Sequence, residues 1–125
     1  MFMFDIETLG TESSTVVLSA AITYFDGRRK NIELAQQIAQ YLTNKGKDVL
    51  VSLVSPYKDQ RDKFKEKMGD NLVEVYVHTS ETRGREDFFV KEYGQPTENY
   101  LDIDTTNESI EESTKKVLDY AKNSR

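Results

Sequence analysis

Residues 28–57, RRKNIELAQQIAQYLTNKGKDVLVSLVSPY, decide the fold. Ile32, Ala35, Ile38, Ala39 and Leu42 recur at steps of three and four, the period of a helix with one apolar face, and Gly46 follows as a stop. Val49–Val54 (VLVSLV) is a continuous apolar run, the pattern of a strand buried on both faces of a parallel sheet, and Ser55-Pro56 ends it. Toward the C-terminus, residues 59–68 read as a charged surface helix with Phe64 and Met68 four apart, closed by Gly69-Asp70-Asn71. Leu72–Val77 (LVEVYV) is a second strand, and residues 80–99 form a stretch of the length expected for a lid or binding loop. Tyr100–Asp104 is a third strand. Thr105 with Glu108 then resembles a capping box ahead of a last helix carrying Ile110, Val117, Leu118 and Ala121 on one face. Strands alternating with helices imply an α/β fold: three layers, a mostly parallel sheet and right-handed crossovers.

Upstream, Phe2–Ile6 and Val16–Phe25 read as two strands joined by a polar turn, although Val17, Ala20, Ala21 and Tyr24 also suit a helix face. The 125 residues suffice for one compact domain, and the absence of cysteine excludes disulfide scaffolds, Cys-ligated metals and a thiol nucleophile. No run approaches the roughly 20 apolar residues of a membrane span, and the start has no basic n-region. A soluble, cytoplasmic protein is expected. The net charge of −5 argues against binding nucleic acid by bulk attraction, and its distribution is uneven. Residues 1–27 hold Asp5, Glu7, Glu12 and Asp26 and no Lys or Arg; the other 18 of the 22 acids and all 17 bases follow Gly27. This asymmetry marks a seam at Gly27/Arg28, dividing the chain into 1–27 and 28–125.

In open α/β sheets, ligands bind beyond the carboxyl ends of the strands. After the first buried strand come Ser55, Pro56 and Tyr57, then Lys58 and Arg61; after the second come His78-Thr79, then Arg83 and Arg85. Basic groups at that edge suit a small anionic, phosphorylated ligand, because Arg grips phosphate oxygens in a two-pronged fork. The alternative for Arg61 is a place on a solvated charged face. His78, the single histidine, reads as a surface residue with no special role.

On these residues the stretch 28–122 resembles the adenylylsulfate (APS) kinase family, of the P-loop kinase lineage. The matching features are Arg28, Asn31 and Ile32 at a helix start, Ser55-Pro56-Tyr57 after a buried strand and Arg61-Asp62 in the next helix. Glu74–Val77 with Thr79, and Asp104-Thr105 before the final helix, complete them. The resemblance implies that Arg28, Asn31 and Ser55–Tyr57 face adenylylsulfate, whose 3′-hydroxyl would accept the γ-phosphate of ATP with Mg²⁺. It implies that Arg83 and Arg85 are phosphate-facing groups of a short lid.

Phosphoryl transfer rests on positioning and charge neutralisation by a Gly-rich loop, its Lys and a Ser/Thr on Mg²⁺. No G-x-x-x-x-G-K-[ST] occurs in this sequence; Leu9–Thr15 (LGTESST) has one Gly and hydroxyls but no Lys, and it carries Glu12. A kinase-like domain impaired in catalysis, retaining nucleotide binding, is the expectation. Residues 1–26 instead resemble the opening of a phage DnaQ-like (DEDD) 3′–5′ exonuclease, which implies metal-binding roles for Asp5 and Glu7. Acids at i and i+2 on a strand share one face, as a two-metal site requires. The alternatives are therefore an exonuclease-derived fragment, a non-catalytic fusion product or a functionless deletion remnant. For a P-loop fold truncated in this way, the N-terminal β segment or a second subunit in a homodimer is expected to fill the central sheet position of the P-loop unit, because bare edges promote aggregation.

Overall fold

The helix expected from the period of Ile32 to Leu42 is α1, Arg28–Asn44. In this computed structural model, residues 2–4, 15–20, 27–80 and 92–124 are described. The chain forms two compact units, Met1–Ser55 and Pro56–Arg125.

In the first unit, β1 (Phe2–Phe4), β2 (Thr15–Ala20) and β3 (Asp48–Ser52) form a sheet in that order. β1 runs antiparallel to β2, with Phe2 opposite Ala20, whereas β2 runs parallel to β3, from Thr15 opposite Asp48 to Ser19 opposite Ser52. A parallel pair needs a crossover, and α1 supplies it, lying against both β2 and β3. Its buried residues are Ile32, Ala35 and Ala39, and the two alanines let the helix approach the sheet closely. Gly46, at φ +79°, takes the left-handed turn that ends the helix without the Cβ clash another residue would suffer.

The second unit contains α2 (Lys58–Met68), a 3₁₀ turn at Gly69–Asn71, the parallel pair β4 (Glu74–His78) and β5 (Tyr100–Asp104), and α3 (Ile110–Asn123). Glu74 stands opposite Tyr100 and His78 opposite Asp104. α3 lies against β5, where Ile103 is only 1% exposed, but the face expected of it is only partly turned inward: Val117 and Ala121 are half-buried, whereas Ile110 and Leu118 are exposed.

Further expectations change. The described strands form two sheets rather than one mostly parallel sheet, β1-β2-β3 with an antiparallel β1–β2 pair and the parallel pair β4-β5. β3 is not buried on both faces: it is an edge strand with a single described helix in its unit, and Leu50 and Val51 remain exposed. The N-cap of the last helix is Ser109, whose hydroxyl accepts the Glu112 N–H at 3.1 Å. Thr105 is otherwise engaged, since its N–H and hydroxyl both donate to the His78 carbonyl, at 2.8 and 3.2 Å.

Ile103→Ala should destabilise the second unit by about 2–5 kcal/mol, the usual cost of a large-to-small change in a core. Ile110→Ala, at a side chain 82% exposed, should stay within about 0.5 kcal/mol. Urea unfolding of both variants checks this, and equal costs would refute the packing of α3 on β5.

Candidate functional site

The start of α1 is unusual electrostatically. A helix N-terminus carries partial positive charge and favours acids, yet the first turn holds none and opens with Arg28, Arg29 and Lys30. Gly27 caps without a side-chain hydrogen bond, and its carbonyl accepts the Asn31 N–H at 2.9 Å. Arg28 and Asn31, three apart, lie on one side of this turn, fixed by the burial of neighbouring Ile32. The Nε of Arg28 is buried and has no hydrogen-bond partner among the described residues. A buried guanidinium N–H left unpaired costs free energy, so such a group suits an anionic acceptor.

The second unit begins at the expected Pro56-Tyr57 turn. Pro56 is buried, and Tyr57, in extended conformation, caps α2. Arg61 lies one turn into α2, but it is not on a solvated face. Its Nε donates to Glu74 Oε2 at 2.9 Å, Nη2 donates to the Gly94 carbonyl, and the guanidinium lies 4.9 Å from the Tyr93 ring centre. Lys65, one turn further, donates to Glu74 Oε1 at 2.9 Å and to the carbonyls of Glu98 and Asn99 at 2.8 and 3.1 Å. Lys58 pairs with Asp62 on the same helix.

From Arg61 a column of planar groups crosses the sheet. Tyr93 stacks on Tyr76 with ring centres 5.6 Å apart, and Tyr76 stacks on His78 at 5.0 Å. Tyr100 meets Tyr76 edge-on. His78 Nε2 lies 2.8 Å from Asp102 Oδ2, so the histidine read as having no special role terminates this column. Nearby, the Thr106 hydroxyl meets the hydroxyls of Thr79 and Ser80, and hydrogen bonds from Thr106 hold the Asp104 carboxyl below the usual range. A shallow hollow beside the start of α3, lined by Thr105, Glu108, Ser109, Ile110, Ser113 and Thr114, includes none of the expected site residues.

Sequence reading missed Glu74 and the aromatic column. The signals were one acid inside LVEVYV, facing two bases four apart on the preceding helix, and the alternation of Glu74, Tyr76 and His78 on one face. Asp5, Glu7, Arg83 and Arg85 lie outside the described residues. Among the described residues, no group of three His, Asp or Glu could hold a metal ion, and no helix is long and apolar enough to cross a membrane.

A family model described as Adenylylsulphate kinase matches residues 9–94. The chain is similar to the adenylyl-sulfate kinase of Oceanobacillus iheyensis, 27% identical over 116 residues, covering 78% of this chain and 58% of that protein. It is similar to that of Staphylococcus haemolyticus, 26% identical over 117 residues, covering 78% and 59%. It is also similar to that of an Enterobacter species, 30% identical over 91 residues, covering 69% and 45%. The chain thus spans less than two thirds of the length of these relatives. No solved structure matches.

Burial raises the Tyr93 phenol above its ordinary 10.0; Arg61 pulls it down, while Glu74 and Tyr76 push it up. In ζ-¹³C-tyrosine NMR, Tyr93 should therefore titrate above the ordinary phenol value, Glu74→Gln should lower its midpoint, and Arg61→Gln should raise it. A raised pKa means that the neutral phenol contributes stability below the ordinary value, lost as pH rises through the folded one. Titration of Tyr93 at the ordinary value would contradict the packed column.

Proposed function

The chain belongs to the adenylylsulphate kinase family, and from that premise we propose that it is a nucleotide-binding member that holds adenylylsulfate without transferring phosphate to it. The observation that carries this reading is the buried, unpaired Nε of Arg28 at the positive end of α1. Adenylylsulfate is an anhydride of phosphate and sulfate, and its charged oxygens would provide the acceptors that this turn lacks. Arg28 would grip those oxygens, Asn31 would add a neutral hydrogen-bonding group, and the helix N-terminus would add its partial charge. From the family resemblance, Ser55 in the first unit and Pro56 and Tyr57 in the second are each proposed to face adenylylsulfate, Arg61 acting through the turn it supports, and Arg83 and Arg85 would supply further cations.

The family implies ATP and Mg²⁺ as co-substrate and metal. The residues present do not fit them. Leu9–Thr15 falls inside the family match but pairs one Gly with Glu12 and has no Lys, so it offers triphosphate oxygens repulsion where a Walker loop offers charge and backbone amides.

We further propose that β2 takes the place beside β3 that the nucleotide-binding strand occupies in P-loop kinases. Support comes from its parallel register with β3 and from a family match that begins at Leu9 rather than at Arg28. No observation favours the exonuclease-derived reading of Asp5 and Glu7.

Titration calorimetry with adenylylsulfate should show saturable binding, weakened at least about tenfold by Arg28→Gln, which corresponds to about 1.4 kcal/mol. A coupled assay with ATP and Mg²⁺ should show no turnover. Absence of binding, or equal affinity in Arg28→Gln, refutes the binding reading; phosphate transfer refutes the non-catalytic one.

A further inference from the structure

Glu74 is the one acid of β4, and its carboxylate is 11% exposed. Two cations meet it, one on each oxygen: Arg61, 10% exposed, and Lys65. A helix-to-strand ion pair needs only one cation. The second leaves one positive charge in excess, and main-chain carbonyls of a single short segment answer it: Gly94 for Arg61, Glu98 and Asn99 for Lys65. Backbone carbonyls carry partial negative charge and are the acceptors this stretch offers whatever its side chains. The cluster thus binds residues 94–99 through their backbone.

The same segment reaches the start of α2. The Gly94 N–H donates to the Pro56 carbonyl at 2.9 Å. A Cβ at Gly94 would lie 2.9 Å from Lys58 Cβ, 3.2 Å from Lys58 N and 3.3 Å from the Pro56 carbonyl oxygen, so only glycine allows this approach. Pro56 and Pro96 are both buried, and Tyr93, just before the contact, is stacked against Arg61. An unbroken chain of contacts therefore runs from Glu74 through Arg61 and Gly94 to Pro56.

We propose that Arg61 and Glu74 are positioning residues, which set the Pro56-Tyr57 turn for its ligand by fastening Gly94 against it, without themselves touching the ligand. The ligand half of this proposal rests on the reading that the turn faces adenylylsulfate. It gives Arg61 a different task from gripping an anion: one prong goes to Glu74 and another to a carbonyl. Arginine suits this because its planar fork serves two acceptors while its face stacks on a ring, which a lysine cannot do.

Three readouts on the whole chain test it: NMR amide exchange at position 94, adenylylsulfate affinity by calorimetry, and thermal unfolding. Arg61→Lys keeps the charge beside Glu74 but loses the fork. It should speed exchange at Gly94 by at least about tenfold and weaken adenylylsulfate binding by about tenfold, with Tm moved by no more than about 2 °C. Gly94→Ala, which leaves Arg61 and Glu74 in place, should weaken binding similarly, and the double variant should be no worse than either single one, because both break the same chain of contacts. Lys63→Gln, on the exposed side of α2, should change nothing.

Unchanged exchange in Arg61→Lys overturns the proposal, as does unchanged affinity despite fast exchange. Additive losses in the double variant also overturn it, because they would mean that Arg61 meets the ligand directly. If the wild-type chain binds no adenylylsulfate, the functional reading and the ligand half fall together, and exchange at Gly94 alone decides whether Arg61 sets the turn.

Discussion

A carboxylate withdrawn from water must be paired, and the second unit is arranged around the pairing of Glu74. Desolvating such a charge costs several kcal/mol, and attraction to its partners repays that cost only where the geometry is good and the remaining hydrogen-bonding capacity is met. Here each oxygen has its own cation at 2.9 Å, and both cations find further acceptors. The arrangement links α2, β4 and the stretch before β5, pieces that the stacked rings of Tyr76 and Tyr93 also join. Among the described residues of this unit, Ile103 is the one large aliphatic side chain that is buried, and Pro56 and Pro96 are the other buried residues. With so little hydrophobic burial, directional contacts must specify how the pieces meet.

The start of α1 presents the opposite situation. Cations at the positive end of a helix each work against its dipole by roughly 0.3–1 kcal/mol. Arg28, Arg29 and Lys30 therefore do not stabilise the isolated helix, and a residue set tuned for stability would have placed acids there. A cost borne at a helix start beside a buried, unpaired N–H is the pattern expected where binding, rather than folding, sets the residue choice. The two cationic clusters thus differ in kind: at Glu74 the protein supplies the counter-charges, and at Arg28 it leaves an acceptor wanting.

Local rules made part of this legible. The three- and four-residue spacing from Ile32 to Leu42 gave α1 its position because its face is buried in the same unit, and Tyr100–Asp104 matched β5 to the residue. Where pattern reading went astray, the competitor was tertiary. VLVSLV looks doubly buried, yet a strand with one neighbour and one covering helix leaves Leu50 and Val51 in water. Thr105-x-x-Glu108 and Ser109-x-x-Glu112 are equally good capping signals, and only the demand of the His78 carbonyl for donors removes Thr105 from the competition. At Arg61 a charged helix face was the plain alternative to an anion site, and neither foresaw an acid on the facing strand, since pairing across 13 residues leaves no local trace.

The uneven charge of the chain acquires a structural sense from the order of the first sheet. β2 lies between β1 and β3, so both of its edges are hydrogen-bonded, and α1 lies against it. A central strand has little access to water for a charged side chain, and TVVLSA has none. The acids of residues 1–27, namely Asp5, Glu7, Glu12 and Asp26, lie outside the described residues. The β2–α1–β3 crossover spans the change of composition at Gly27/Arg28, with the strand on one side and the helix and its parallel partner on the other, and the compact unit continues to Ser55. Whatever the origin of the first 27 residues, the strand they contribute carries the uncharged sequence that a central position in a sheet favours.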